Sequence, residues 1–432
     1  MASPWLAPPA LQRPLQGERE VDVAVIGAGL TGLSSALALR RDGLSVALLE
    51  ARYAGFGASG RNAGHLTSAI GKDLPSLLRL QGRERAKLLL GLVQRGIHCV
   101  EERIREHSID CDYEPVGTVV TAVHRRQHAR LERAARAAQD LGVCGELLDA
   151  AALDARAIPR FATLGWFEPL GGVLDPGRYL LGLRRAALAA GAELFEQTPV
   201  LALEDAERVL VRTPGGRVRA RFAVLATNAY TPELGRLRRA GLRLQVQLFR
   251  SEPLSDAQRA RLGWSGREGL YTAHEELESY RWTADGRILG GAKFVRAGFG
   301  RSRLADVDAR TSARLEAVFR ARFPELGDLA IREHWGGPIF LALDFLPRVG
   351  RGGRHGNVLH ALAWAGHGIP LASYAGEMLA DLIGGREGPG AALWSRRGWR
   401  LPPEPLRFGI YKAIEGALRR VDARADRDAR GR

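Results

Sequence analysis

At 432 residues, with 46% hydrophobic and 26% charged side chains, the chain has the length of two or three domains and the composition of a globular protein with a large core. Its net charge of +15 rests on arginine, because only four of the 63 basic residues are lysine: Lys72, Lys87, Lys293 and Lys412. The arginines are scattered among 48 acids rather than gathered into a stripe or tail, which argues against a nucleic-acid partner.

The chain opens on a proline-rich stretch, residues 1–16, without the apolar centre of a secretory signal. The first strand is predicted over Val21-Asp22-Val23-Ala24-Val25-Ile26, a run of the kind buried in parallel sheets. It stops at Gly27-Ala28-Gly29-Leu30-Thr31-Gly32, and the alanine- and leucine-rich run from Leu33 to Arg41 reads as a helix. Asp42-Gly43 ends that helix, Leu44 to Leu49 reads as a second strand, and Glu50 closes it. Glycines between strand and helix, with an acid after the next strand, form the dinucleotide-binding arrangement. Gly27 permits the tight turn, Gly29 lets backbone approach a pyrophosphate, and Gly32 lets helix and strand pack closely. The helix N-terminus offers N–H groups to the anion. Glu50 can accept hydrogen bonds from both hydroxyls of an adenosine ribose, and its charge would repel a 2′-phosphate.

NAD and FAD both use this unit, and the following segment separates them. Residues Ala51 to His65 form a long loop carrying Gly55, Gly57, Gly60 and Gly64. Nicotinamide folds return quickly to a helix here, whereas such a loop offers backbone N–H groups and room beside an extended ribityl chain. Its Gly57-Ala58-Ser59-Gly60-Arg61-Asn62-Ala63-Gly64 stretch, taken with the fingerprint, resembles the FAD-dependent D-amino-acid oxidase superfamily. Within it the resemblance is to the γ-glutamylputrescine oxidoreductase branch, which carries Gly-Gly where this chain has Ala63-Gly64. The resemblance implies an α/β fold, α+β overall: a Rossmann-like FAD-binding domain of glutathione-reductase type with an inserted antiparallel-sheet substrate domain. It places the FAD-binding domain at 18–78, 150–235 and 336–395, the substrate domain at 79–149 and 236–335, and a C-terminal helix with a basic tail at 396–432. It also implies an enzyme that moves a hydride from the carbon beside an amine nitrogen to flavin N5. Its partners would be a small-molecule amine and, as acceptor, oxygen or a quinone or other electron carrier. The alternatives are a D-amino-acid or N-methylamino-acid dehydrogenase that passes electrons to a quinone and, of a different class, a non-catalytic FAD-binding subunit.

Leu131 to Leu141 reads as an amphipathic helix and Ala192 to Leu203 as a strand-forming segment. Val209–Thr213 and Val218–Leu225 alternate across Pro214-Gly215-Gly216 as a hairpin leading into Ala226-Thr227-Asn228. The resemblance sets Val200 against the adenosine half and Thr227 near the cofactor. Asp285-Gly286 joins Tyr280-Arg281-Trp282-Thr283 to Arg287-Ile288-Leu289-Gly290 in a second hairpin. Near the end, the strand Val358–Ala363 meets Trp364-Ala365-Gly366-His367-Gly368-Ile369 and then a helix from Leu371 to Ile383. That helix N-terminus would stabilise negative charge, and the resemblance puts Gly366, His367, Gly368 and Ile369 at the flavin pyrimidine. The FAD-binding candidates are therefore Gly27, Ala28, Gly29, Leu30, Thr31, Gly32, Glu50, Ala51, Arg52, Gly57, Ser59, Gly60, Arg61, Asn62, Ala63, Gly64, Val200, Thr227 and Gly366 to Ile369.

Catalytic candidates are few. His65 either faces the ring or takes a proton, unless it is a surface histidine. Lys293 ends a strand that should cover the flavin, where sarcosine-oxidase relatives activate oxygen; a solvated strand end is the alternative. His367 joins them through its loop, and Trp282, Trp335 and Trp364 are pocket-wall candidates. Pro370 stands where sarcosine oxidases carry a lysine for the substrate carboxylate, so an amine fits better than a small α-amino acid unless Arg281 or Arg296 replaces that anchor. No cysteine lies between Trp335 and Gly350, so the FAD is expected to be non-covalent. Cys99, Cys111 and Cys144 read as buried small hydrophobes, and the ten histidines lack paired metal spacing. A metal-free, cytoplasmic protein is expected. At the C-terminus Leu406, Ile410, Ile414 and Leu418 form one helical stripe beside Arg407, Lys412, Arg419 and Arg420. The stripe serves either packing on the FAD domain or peripheral contact with an anionic membrane surface, and residues 422–432 are expected to be disordered.

Overall fold

In the computed structural model, which describes residues 3–6, 10–300, 302–394 and 400–430, the first strand is Gly17–Ile26, the helix after it Leu30–Arg41 and the next strand Val46–Leu49. The first strand starts earlier than its apolar run because Gly17 to Val21 pair with Gly216 to Ala220 of the predicted hairpin. The resulting sheet has the strand order Arg348–Gly352, Val358–Leu362, Gly216–Leu225, Gly17–Ile26, Val46–Leu49, Glu193–Phe195. The last five of these run parallel, and Arg348–Gly352 is antiparallel to its neighbour. Both faces are covered: Val23, Val25 and Leu48 enter one core, while Ala24, Ile26, Ala47 and Leu49 enter another. Such double burial is why these strands read as unbroken apolar runs.

A second, largely antiparallel sheet runs Arg296–Ala297, Leu242–Ser251, Ile288–Gly291, Ser279–Trp282, Gly269–Thr272, Thr118–Ala122, Leu164–Glu168, Glu146–Leu148, with Ile331–Leu341 also pairing to Leu242–Ser251. Its membership crosses the expected domain limits. Leu164–Glu168 lies in the stretch assigned to the FAD-binding part, and Ile331–Leu341 runs past 335, yet both pair here. The pleat divides this sheet cleanly. Val119, Leu270, Tyr280 and Trp282 point into a core with Phe319 and Phe323, while Thr118, Val120, Trp166, Glu168, Tyr271 and Ser279 line the cavity toward the first sheet.

The C-terminal helix corrects two expectations. It runs Leu406–Arg430, so the acidic and basic run after 421 continues the helix instead of being disordered; residues 396–399 and 431–432 lie outside the described ones. It also sits on the second sheet's loops rather than on the FAD domain. Asp422 accepts the backbone N–H groups of Glu275 at 2.8 Å and Glu276 at 2.9 Å, and the Tyr411 hydroxyl donates to the Val295 carbonyl at 3.0 Å. Leu406, Ile410 and Ile414 of the stripe stay exposed, so the acids fasten this helix and its apolar stripe does not. Asp422→Ala should orphan two amides and lower stability by about 1–3 kcal/mol, read as a fall in Tm. No helix among the described residues is long and apolar enough to cross a membrane. Cys99 and Cys111 are buried as expected, but Cys144 is exposed because it sits in the turn after the helix His128–Leu141.

Candidate active site

Ile26, Leu49, Leu225 and Leu362 end strands of the first sheet on the same carboxyl edge, where open α/β sheets hold their ligands. The loops that follow, and the second sheet opposite them, enclose a cavity of about 2340 Å³. The helix Leu30–Arg41 begins at Gly29 with no side-chain cap on that residue and no acid in its first turn; Ser59 Oγ accepts the Leu30 N–H at 3.0 Å. Glu50 sits beside this helix end, its carboxylate accepting the N–H groups of Ala28 and Arg52, both at 2.9 Å. Burial pushes the Glu50 carboxyl upward, against those two backbone hydrogen bonds.

A second helix, Gly368–Gly384, starts at His367 on the same cavity, again without a side-chain cap or an acid in the first turn. The loops beside it are strained. Asn228, Ala363 and Ala365 have φ of 39°, 67° and 53°, a region that costs about 1–3 kcal/mol per non-glycine residue. The Asn228 side-chain oxygen accepts the Ala363 N–H at 3.0 Å and locks the two loops together.

Among the expected cofactor residues, Gly27, Gly29, Leu30, Thr31, Glu50, Ala51, Arg52, Gly57, Ser59, Arg61, Asn62, Ala63, Val200, Thr227, Gly366, His367, Gly368 and Ile369 line the cavity. Ala28, Gly32, Gly60 and Gly64 are not among the lining residues; they build the wall from behind. Gly64, at φ 75°, is the clearest case: a Cβ there would lie 2.1 Å from the Leu174 carbonyl oxygen and 2.6 Å from Arg281 Nη2. Arg61 both lines the cavity and clamps it. Its guanidinium donates to Asp306 at 2.6 Å and to the Gly336 carbonyl at 2.8 Å, tying the glycine loop to the second sheet.

His65 follows that loop on the short strand His65–Thr67, paired with Gly171–Val173. Its ring is 4.7 Å from the Tyr271 ring and faces the cavity. Burial, reinforced by the nearby Arg281 and His367, lowers its pKa to about 3. The cavity-facing placement is thus met, and burial keeps the imidazole on the neutral side. Burial also lowers His367 from the ordinary histidine value.

Several other expectations are corrected. Lys293 does not line the cavity: it is buried, with Nζ 2.6 Å from Glu278 and 3.3 Å from Asp426, so its charge is spent within an ion cluster. Trp282 packs at a tilt against Trp264 in the far core, with ring centroids 5.2 Å apart. Trp335 lies beneath the glycine loop, donating its indole N–H to the Arg61 carbonyl at 2.9 Å; only Trp364 of the three tryptophans lines the cavity. Arg281 is engaged by the carbonyls of Ala63, Leu174 and Trp282, and Arg296 by that of Ala305, so neither is a carboxylate anchor in the cavity. Tyr271 and Glu168, which sequence reading missed, face it from the second sheet. Both arrive through the register of strands that pair with Thr118–Ala122 from distant parts of the chain.

The residues present fit FAD. Arg61 Nε, both ring nitrogens of His65 and Nδ1 of His367 are buried without a hydrogen-bond partner, all on cavity-lining residues, and two helix N-termini without an acid in their first turn face the same space. No cysteine is among the lining residues. Comparison with known proteins agrees. Residues 22–382 match the family described as FAD dependent oxidoreductase. The chain is 32% identical over 370 residues to gamma-glutamylputrescine oxidoreductase of Escherichia coli (strain K12), covering 84% of each. It is 30% identical to the probable oxidoreductase OrdL of Haemophilus influenzae, over 86% of this chain and 84% of the other. In fold it is similar to glycine oxidase from Geobacillus kaustophilus, with TM-score 0.74 at 20% identity over 88% of this chain and 100% of the other.

Proposed function

Because the chain belongs to the FAD dependent oxidoreductase family, we propose that it oxidises the C–N bond of a primary or secondary amine, γ-glutamylputrescine or a compound like it, to an imine that water then hydrolyses. The observation that carries this reading is a single cavity shared by Glu50, two helix N-termini without an acid in their first turn and a polar sheet face containing Thr118, Tyr271 and Glu168. The relative named for γ-glutamylputrescine supports the substrate class. Bound FAD supplies the two-electron acceptor for the hydride leaving the carbon next to nitrogen. The backbone of Gly27 to Thr31 and the Glu50 carboxylate would hold its adenosine and phosphate half. His367, at the start of its helix, would meet the ring end with N–H groups rather than with charge.

The rest of the chemistry belongs to the second sheet. Its face roofs the cavity, so substrate enters a site with limited water and a fixed orientation. His65, its pKa lowered by burial, offers a hydrogen bond from a neutral ring.

The test is spectroscopic. Purified protein should be yellow, absorbing near ~450 nm, and should bleach without oxygen when γ-glutamylputrescine is added, with sarcosine and D-alanine as comparisons. Colourless protein overturns the reading, and colour that no amine bleaches favours a non-catalytic FAD-binding subunit. Re-oxidation by air or by a quinone identifies the acceptor. His65→Gln should lower kcat/KM about tenfold, the loss of one positioned hydrogen bond, while leaving the pH profile's shape unchanged; loss of an acid limb in that variant would instead make His65 a base.

A further inference from the structure

We propose that Glu168 is the carboxylate that holds a cationic nitrogen of the substrate, making it a specificity-determining residue for the amine oxidation inferred above, on which this rests. Glu168 ends the strand Leu164–Glu168, opposite Thr118, and its half-buried side chain lines the cavity. Trp166 Nε1 donates to one carboxylate oxygen at 2.8 Å, and Ser68 Oγ donates to the other. Both donors are neutral. Among the described residues no lysine, arginine or histidine pairs with this carboxylate.

In so arginine-rich a chain, that is out of pattern. Buried Glu196 has Arg184 at 2.8 Å and buried Glu278 has Lys293 and Arg322, while Glu50 and Asp422 each accept two backbone N–H groups. A carboxylate partly removed from water needs a countercharge or strong donors to offset its lost hydration. Two neutral donors fix the orientation of Glu168, yet an ionised carboxylate has about four acceptor positions, leaving room for an ammonium. Beside it, Leu90, Leu131 and Trp166 line the cavity with apolar surface suited to a carbon chain.

The sheet register sets the relation to His65. Thr118 lies between Glu168 on one side and Gly269 on the other, and the His65 ring lies against Gly269. Two strand spacings, about 10 Å, therefore separate the carboxylate from the strand beneath the His65 ring. The nitrogen held at Glu168 is then either the reacting one, captured on entry, or a second one at the far end of the substrate.

The experiment compares wild-type holoenzyme with Glu168→Gln and Glu168→Asp. Gln keeps an oxygen for the Trp166 N–H, and its amide N–H can donate to a rotated Ser68 hydroxyl, so flavin content and Tm should stay close to wild type. Dissociation constants for n-butylamine and 1,4-diaminobutane are read from perturbation of the flavin absorbance, and KM and kcat from γ-glutamylputrescine turnover. Expected for Glu168→Gln is a dissociation constant or KM at least about tenfold higher with kcat within threefold, and partial recovery in Glu168→Asp. Weakening with both amines assigns the reacting nitrogen to Glu168; weakening with the diamine alone assigns the second nitrogen; each supports the proposal. Amine binding that Glu168→Gln leaves within twofold overturns this inference alone, whereas wild-type protein that takes up no amine overturns the parent reading with it.

Discussion

Glu278→Ala should destabilise the folded chain by about 3–5 kcal/mol, the cost of leaving buried charges without their partner. Glu278 lies at the centre of a cluster in which Lys293 Nζ is 2.6 Å away, Arg322 Nε 2.9 Å and His274 Nδ1 3.7 Å. Asp426 of the C-terminal helix closes the far side, 3.2 Å from His274 and 3.3 Å from Lys293. Removing the central carboxylate leaves two cations facing Asp426 alone, so the C-terminal helix should loosen with the cluster. The loss has a pH signature. Burial alone would raise the Glu278 carboxyl, but Arg322, Lys293 and His274 override it and bring the pKa to about 2 from an ordinary 4.5. A carboxyl lowered on folding stabilises the protein above its unfolded value and loses that contribution as pH falls through its folded value. Wild type should therefore lose stability between about pH 4.5 and about pH 2, and Glu278→Ala should show a shallower fall across that window. Thermal melts at several pH values check both. An unchanged Tm at pH 7 would mean that the cluster is solvated and contributes little.

That cluster also marks where sequence reading stops. Lys293 drew attention by scarcity and by ending a strand, yet its direction is set by the backbone after Gly291. Ala292 and Phe294 take φ of 72° and 61°, and the lysine between them is directed to Glu278 and to Asp426, a partner far away in the chain. No local pattern encodes such a pairing, and Asp422 and Asp426 look like a solvated tail until their partners are known. Trp282 failed for a different and avoidable reason. On an alternating strand Ser279 and Arg281 share one face and Tyr280 and Trp282 the other, so one known cavity residue would have assigned all four. The segments from Gly27 to Glu50 and from Gly366 to Ile369 were legible because their chemistry is local. Each is a strand, a turn and a helix N-terminus in direct succession, so neighbouring residues alone determine the geometry. Tyr271 and Glu168 reach the site only through the register of a sheet assembled from separate chain segments, and that register had no local signal.

Gly32→Ala should yield protein purified without flavin, with affinity for added FAD reduced at least about a hundredfold, some 2.7 kcal/mol. A Cβ on Gly32 would lie 1.8 Å from the carbonyl oxygen of Gly27 and 3.3 Å from Leu48 Cδ1. The nearest obstacle is backbone, so no rotamer change relieves it; the helix must move off the strand or the turn at Gly27 must open. Gly27 cannot follow easily, since at φ 99° its own Cβ position lies 2.9 Å from the Ala226 carbonyl oxygen. Either movement displaces the N–H groups at the start of Leu30–Arg41, which is where the anion should sit. Gly29→Ala gives the discriminating comparison. Its Cβ would meet only the Ser59 side chain, with Oγ at 2.7 Å, so Gly29→Ala with Ser59→Ala should fold, losing about what Ser59→Ala alone loses with its bond to the Leu30 N–H. If close approach of the pyrophosphate is what Gly29 provides, that double variant should match Ser59→Ala alone in Tm yet bind FAD more weakly than Ser59→Ala does. Absorbance near ~450 nm, FAD titration and a thermal melt separate the two failures: Gly32→Ala should lose Tm and flavin together, and the Gly29 pair should lose only flavin relative to Ser59→Ala. Retention of flavin by Gly32→Ala would show that the cofactor binds elsewhere than on this loop.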